Sequence, residues 1–157
     1  MDIYKIALFG HRDLVAHQLV EEKLYQILSA LIKENTFLEL YIGRNGEFDQ
    51  FVASIIKRAQ KAFGKERIGM TLVLPYKQKD IEYYEAYYDS IWIPEPAERA
   101  HPKGAITKRN RWMVEQCDLL ICFVEKEQGG AYTALQYAKK LKKQIINLAV
   151  EDDFPIT

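Results

Sequence analysis

The run IYKIALFGHRD at positions 3–13 is the clearest strand in the sequence, because its mostly apolar residues end abruptly in a glycine and charged side chains. Four further apolar runs occur at 37–42, 68–74, 119–124 and 145–150. They are nearly continuous, which is typical of parallel strands buried on both faces rather than of strands with one solvated face. We therefore predict a strand in each run.

The stretches between these strands have helical periodicity. Apolar residues recur three and four positions apart, and Gly64 offers a plausible end for the second helix. The apolar stripes of the four predicted helices contain Leu14, Leu24, Ile27, Leu28, Leu31 and Ile32; Phe51, Val52, Ile55, Ile56, Ala59 and Phe63; Ile106, Met113 and Cys117; and Leu135, Ala138 and Leu141. Alternating strands and helices predict an α/β, doubly wound fold with a mainly parallel sheet of five or six strands flanked by helices.

Length and composition narrow the class of protein. The chain has 157 residues, which predicts one domain over residues 1–157. Its net charge of zero argues against a nucleic-acid partner. No apolar run approaches the roughly 18 residues of a membrane span, and the first five residues lack a signal-peptide pattern. Two cysteines in apolar surroundings, Cys117 and Cys122, indicate a reduced, cytoplasmic protein with inert thiols. Whether the chain forms homo-oligomers is left open.

The segment 75–102 breaks the alternation and is rich in tyrosine, proline and glutamate. We predict a crossover with a short helix near 80–88 and a short strand near 90–93. Such a crossover forms a lid or wall beside a site. It can equally be a packed extension in which tyrosines act as amphipathic filler.

Ligands bind to open parallel sheets beyond the carboxyl ends of the strands, so the residues after each strand are the candidates for a site. After the first strand, Gly10 permits close approach, and His11 and Arg12 present polar groups. Asp13 suits the N-cap of the following helix.

The loop at 43–49 follows the second strand. Gly43 and Gly46 precede a helix and leave backbone N–H groups free for an anion or hydroxyl. Glu47 and Asp49 then either interact favourably with the dipole of the following helix or recognise a ribose or base.

The helix predicted at 104–117 carries polar residues beside its apolar stripe. Arg109 and Asn110 flank Ile106 and Met113. A buried arginine needs a partner, which is either a core carboxylate or an anionic ligand.

The glycine pair Gly129-Gly130 opens the last helix, with Thr133 in its first turn. This is either a phosphate cradle or an ordinary flexible turn. No histidine or cysteine spacing is typical of a metal site, and no motif predicts a cofactor.

Together, Gly10-His11-Arg12, the 43–49 loop, the run KRNRWM at 108–113 and GGAY at 129–132 resemble small bacterial proteins of the SLOG (SMF/DprA–Lonely Guy) superfamily, in particular the YpsA-like type. The resemblance covers nearly the whole chain. It implies a Rossmann-like fold and a pocket for nucleotide-derived ligands.

The Lonely Guy branch cleaves the N-glycosidic bond of nucleoside 5′-monophosphates, and its motif matches this chain only in part. Arg109 matches the arginine of that motif, and Gly129, Gly130 and Thr133 match its glycine pair and threonine. The departures from the motif are Asn110 for its lysine, Gln128 for its proline, Tyr132 for its third glycine and Gln136 for its catalytic glutamate. Since glutamine cannot act as an anion, the resemblance implies binding rather than hydrolysis.

The sequence thus predicts binding or sensing of a nucleotide or nucleotide-derived small molecule. One alternative is a nucleoside-monophosphate glycosidase in which Glu47 or Asp49 replaces the missing glutamate; another is a protein-interaction module that uses residues 83–88. The predicted site residues are Gly10, His11, Arg12, Gly43, Gly46, Asp49, Arg109, Asn110, Gly129, Gly130 and Thr133.

Overall fold

The computed structural model of the chain describes residues 2–150, in which six strands and six helices follow one another. All strand pairs are parallel, in the order β4-β3-β2-β1-β5-β6. The elements are β1 (Ile3–Gly10), α1 (His17–Glu34), β2 (Phe37–Ile42), α2 (Glu47–Phe63), β3 (Ile68–Val73), α3 (Ile81–Glu85), β4 (Ser90–Trp92), α4 (Glu95–Glu98), α5 (Pro102–Gln116), β5 (Leu119–Phe123), α6 (Gly130–Lys140) and β6 (Gln144–Asn147).

The predicted fold class is confirmed, because helices cover both faces of a Rossmann-like sheet. Successive side chains of a strand point to opposite faces, so Ile6 and Leu8 of β1 join the core beneath α1 and α2. Ala7 and Phe9 join the second core, beneath α5 and α6. Burial on both faces explains why the strand runs lack polar alternation: every residue of β3 and β5 is buried.

The first helix begins later than the sequence suggested. Asp13 is not its N-cap, because α1 starts at His17 with Ala16 at the N-cap position. Leu14 lies in the preceding loop rather than on the helix. Its side chain is buried and its N–H donates to Glu47 Oε1 at 2.9 Å, which ties the loop to α2.

Other boundaries shift by a few residues for local reasons. The fifth helix starts at Pro102, before the predicted residue 104, because the His101 side chain accepts a hydrogen bond from the Lys103 N–H. The last strand ends at Asn147 instead of 150, since the Val150 N–H turns back to the Asn147 carbonyl at 3.0 Å.

The crossover at 75–102 contains the predicted short helix and strand, α3 and β4, and also α4, which the sequence did not indicate. The single domain over residues 1–157 stays a prediction, and its positions 1 and 151–157 lie outside the described residues. Within residues 2–150, no helix has the length and apolar character needed to cross a membrane.

Candidate functional site

The strand order reverses at β1, which is the physical reason for a cleft at this position. The chain proceeds from β1 through β2 and β3 to β4 on one side, and then returns through α5 to β5 on the other side. Loops that leave β1 and β5 therefore diverge above their carboxyl ends, where open α/β sheets bind ligands.

A cleft of about 270 Å³ lies at this point. Nine of the eleven predicted site residues line it, although they come from four separate segments of the chain: Gly10, His11, Arg12, Gly43, Asp49, Arg109, Asn110, Gly129 and Gly130. Its walls also include Leu8, Phe9, Asn45, Ile106, Met113 and Ala131. The convergence of β1, β2, α5 and α6 on one edge produces this set.

Arg109 is the most deeply buried charged side chain at the cleft, with only 3% of its surface exposed. Its Nη1 donates to the Val73 carbonyl at 2.7 Å, and its Nε donates to Asn110 Oδ1 at 2.8 Å. Burial lowers the pKa of Arg109, and the charge of Asp49 opposes this shift. An arginine carries five N–H donors, so these two bonds do not exhaust its donor capacity.

Asp49 provides a carboxylate on the same side of the cleft. Its Oδ2 accepts a hydrogen bond from the Asn45 N–H at 2.9 Å. Burial raises the pKa of Asp49, against the opposing effects of that hydrogen bond and of Arg109 and Arg44. The acidic neighbour of Arg109 is thus a partly buried carboxyl rather than a fully solvated one.

The start of α6 forms the opposite wall. Gly129 is the N-cap, with φ of +94°, and no side chain caps the helix. A Cβ added to Gly129 would have no atom within 4 Å. A Cβ added to Gly130 would contact only Asn110 Nδ2, at 3.6 Å. An uncapped helix N-terminus leaves backbone N–H groups free, and its dipole favours an anion.

His11 joins two loops of the cleft instead of pointing away as a free group. Its Nε2 accepts hydrogen bonds from the N–H groups of Glu125 and Lys126, both at 3.1 Å. The loop after β1 therefore fixes the loop after β5, just before the glycine pair.

Two predicted residues lie outside the cleft lining. Gly46 packs against the backbone of Arg12, and an added Cβ would approach the Arg12 Cα to 2.7 Å. The hydroxyl of Thr133 donates to the Gly129 carbonyl at 3.0 Å, and its side chain lines a neighbouring groove between α5 and α6.

The residues at the positions of the Lonely Guy motif lie in different parts of the structure. Gln136 lines the neighbouring groove rather than the cleft, and Tyr132 packs against the second core. The Glu47 carboxylate accepts from the Leu14 N–H and lies 3.6 Å from His17. Of the two alternative carboxylates, only Asp49 lines the cleft.

The sequence did not single out Asn45 or the Val73 carbonyl. Asn45 lies between Gly43 and Gly46 in the predicted 43–49 loop, and this position could have indicated that it lines the cleft. The Val73 carbonyl could not be found from sequence, because its contact with Arg109 joins residues 36 positions apart.

The tyrosine-rich crossover contacts the loop at 43–49 through Arg44. The Arg44 guanidinium lies 4.5 Å from the centre of the Tyr84 ring. Burial lowers the pKa of Arg44, but interactions with the Tyr88 hydroxyl and Tyr84 raise it overall. Tyr88 itself is buried, whereas Tyr83 is 73% exposed. The crossover is thus partly a packed extension that supports one wall of the cleft.

The two cysteines are buried and free, as predicted. Burial raises the pKa of Cys122 to about 12 and the pKa of Cys117 to about 11. Thiols of this kind are inert at neutral pH. Within residues 2–150, no group of three or more histidine, cysteine, aspartate or glutamate side chains is placed to hold a metal ion.

Comparison with known proteins identifies the fold. No protein-family model and no curated protein sequence matches this chain. DNA processing protein A (DprA) from Streptococcus pneumoniae has a similar structure, with a TM-score of 0.63 and 16% identity over 91% of this chain and 49% of its own. DprA from Helicobacter pylori is also similar, with a TM-score of 0.59 and 16% identity over 90% of this chain and 63% of its own.

These neighbours confirm the Rossmann-like fold that the resemblance to the SMF/DprA–Lonely Guy superfamily implied. The chain spans about half of the first neighbour and less than two thirds of the second. The YpsA-like assignment stays a prediction.

One prediction is overturned. The Helicobacter pylori structure is described as showing a single-stranded DNA binding mode of DprA. Our prediction that this chain has no nucleic-acid partner rested on zero net charge, and it is wrong. A net charge summed over the chain does not describe how charges are distributed on the surface, and a local basic site can coexist with acidic residues elsewhere.

Proposed function

We propose that this protein binds a nucleotide or nucleotide-derived ligand in the cleft between β1 and β5, and that it holds the ligand by a phosphate group. The observation that carries this proposal is the buried guanidinium of Arg109 in the same cleft as the uncapped N-terminus of α6. Both features supply positive charge and N–H donors, which suit a phosphate.

The other predicted residues have distinct roles in this proposal. Asn110 and Asp49 offer an amide and a carboxyl to the sugar or base, and Arg12 adds a cation at the cleft. Gly10 and Gly43 shape the wall, Gly46 lets the 43–49 loop pack against the Arg12 backbone, and His11 positions the loop before Gly129. Thr133 supports Gly129 through its hydroxyl. The buried thiols are consistent with binding in the cytoplasm.

Isothermal titration with AMP and adenosine tests the phosphate contact. AMP is expected to bind more tightly than adenosine, and Arg109→Gln is expected to lower AMP affinity about 10- to 100-fold, the range for a hydrogen bond to a charged group. Lys108→Gln is the matched control, since Lys108 is an exposed cation on the same helix and does not line the cleft. Equal binding of AMP and adenosine, or equal losses in the two variants, would contradict the proposal.

The same samples separate binding from hydrolysis. Chromatography is expected to recover AMP unchanged, because the carboxylate of the glycosidase motif is replaced by Gln136, which lies outside the cleft. Release of adenine at enzymatic rates that is lost in Asp49→Asn would instead support the glycosidase alternative.

A further inference from the structure

A second cavity adjoins the cleft. It is a groove of about 450 Å³ between α5 and α6, and it shares Ile106, Asn110 and Gly130 with the cleft. Small-molecule sites typically enclose roughly 300–1,000 Å³. The cleft alone falls just below this range, whereas cleft and groove together lie well within it.

The groove has the chemistry of an anion-binding surface. Its described lining includes the cations Arg111 and Lys140 and contains no carboxylate. Gln136 adds an amide that can donate and accept hydrogen bonds, and Thr133 adds a hydroxyl oxygen that can accept one, since its hydrogen is donated to the Gly129 carbonyl. Tyr137 adds an aromatic ring, with the Arg111 guanidinium 5.2 Å from its centre.

The lining residues of α6 follow one face of the helix. Gly130, Thr133, Tyr137 and Lys140 are spaced three or four positions apart, so they form a continuous row. At 1.5 Å per residue, this row extends about 15 Å from the N-terminus of α6. It begins at the glycine where the cleft and the groove meet.

The two cavities meet at Gly130 of α6 and at Ile106 and Asn110 of α5, which line both of them. Gly130 has no side chain, and a Cβ added there would lie 3.6 Å from Asn110 Nδ2. A ligand whose phosphate rests at the start of α6 therefore reaches the groove past the Asn110 amide, which borders both cavities and can donate to the ligand.

We propose that the ligand is a dinucleotide, in which a second nucleoside phosphate is joined to the first through phosphate and occupies the groove between α5 and α6. This inference rests on the proposed function, because the first unit must occupy the cleft. The phosphate of the second unit stays near Gly130 and Arg111, and its sugar and base extend along α6 past Thr133 and Gln136 towards Lys140. The two cations of the groove, Arg111 and Lys140, suit a ligand of low charge such as a dinucleotide, and the test below includes a nucleic-acid strand as a competing occupant.

Titration of the intact chain with three probes tests this inference: AMP, diadenosine 5′,5′-diphosphate and a ten-residue oligodeoxyadenylate. The diadenosine compound is expected to bind at least tenfold more tightly than AMP. Lys140→Gln is expected to lower its affinity about three- to fivefold, the loss of about one hydrogen bond to the sugar or base, and to leave AMP affinity unchanged. Lys139→Gln is the matched control, because Lys139 is an exposed neighbour on α6 outside the groove lining.

The outcomes distinguish the two proposals. If AMP binds but the diadenosine compound binds no more tightly, or if both lysine variants behave alike, the dinucleotide inference is overturned and the proposed function stands. If the oligonucleotide binds more tightly than the diadenosine compound and loses affinity in Lys140→Gln, the groove accepts a strand and the small-molecule class is wrong. If neither AMP nor the diadenosine compound binds, the proposed function itself fails.

Discussion

The two walls of the cleft use glycine differently. On the wall formed by the loops after β1 and β2, Cβ atoms added to Gly10 and Gly43 would lie 2.2 Å from Phe48 and 2.9 Å from Arg109. On the wall formed by the start of α6, a Cβ on Gly129 would meet nothing within 4 Å, and one on Gly130 would make only an ordinary contact.

Side chains of the protein fill the space beside the glycines of the first wall, whereas the space beside the glycines of the second wall is open. Gly10 makes room for a buried phenylalanine and Gly43 for a buried arginine, so the first wall is shaped by packing. Gly129 and Gly130 have no side chain of the described chain packed tightly against them. The open wall is therefore the one at which we expect ligand atoms to approach the backbone.

The largest effect is expected from Gly10→Ala on the packed wall. The added methyl group overlaps the Phe48 ring, which is 1% exposed and has no free space to move. Overpacking of this kind costs about 1–3 kcal/mol of unfolding free energy, measurable by urea denaturation. Gly104→Ala is the control, because nothing lies within 4 Å of a Cβ there and alanine favours a helix. Equal stability of the two variants would show that the first wall is not tightly packed.

A smaller effect is expected from Gly129→Ala on the open wall. The cost here comes from the backbone, since φ of +94° is unfavourable for a residue with a Cβ. We expect a loss of about 1–2 kcal/mol in unfolding free energy, because φ of +94° with ψ of 174° is a backbone region adopted almost only by glycine. Gly130→Ala, which adds a methyl group to the neighbouring residue of regular helical conformation, is expected to change stability by less than about 0.5 kcal/mol. If the two variants are equally stable, the strained turn at Gly129 is not present in solution.

Gly43→Ala is expected to affect binding more than stability. Its methyl group would lie 2.9 Å from Arg109 Nη1 and 3.3 Å from Asp49 Oδ2, and it displaces the guanidinium that we assign to phosphate. We expect AMP affinity to fall about tenfold, which corresponds to about 1.4 kcal/mol, measured by titration. An unchanged affinity would mean that the position of Arg109 does not determine phosphate binding.

The smallest effect is expected from Asp49→Asn on the packed wall, and it concerns the pH dependence of the unfolding free energy. Burial raises the pKa of Asp49 in the folded state, so the native protein binds this proton more tightly than the unfolded chain does. The resulting stability is present below the unfolded pKa of about 3.9 and is lost as pH rises through the folded pKa. Wild-type protein is therefore expected to lose unfolding free energy relative to Asp49→Asn as pH rises from about 4. Parallel pH curves from urea denaturation would contradict the raised pKa.

Much of the fold could be predicted because its determinants are local in the sequence. Continuous apolar runs such as the one that ends at Gly10 indicate buried parallel strands, and three- and four-residue spacing indicates the helices. The ends of elements were less predictable. Asp13 looked like an N-cap, but Leu14 is buried and its N–H bonds to Glu47, 33 positions away, so the loop continues to Ala16.

Most of the candidate site could also be predicted, because parallel strands bring their carboxyl ends to one edge. The sequence alone established that glycines, His11 and Arg109 follow strands or flank a helix stripe. It did not establish which of these groups keep hydrogen-bond donors that are not already used within the protein. Thr133 was placed in a candidate phosphate cradle, yet its hydroxyl donates to the Gly129 carbonyl.

By itself, then, the sequence determined the alternation of strands and helices, the parallel sheet and the edge at which polar residues gather, since these follow from periodicity and chain direction. Only the tertiary structure decided that β1 lies next to β5, that Arg109 bonds to the Val73 carbonyl, and that His11 accepts from Glu125 and Lys126. The physical reason is that strand order and buried polar contacts depend on which distant segments pack together, and nothing in local periodicity encodes that choice.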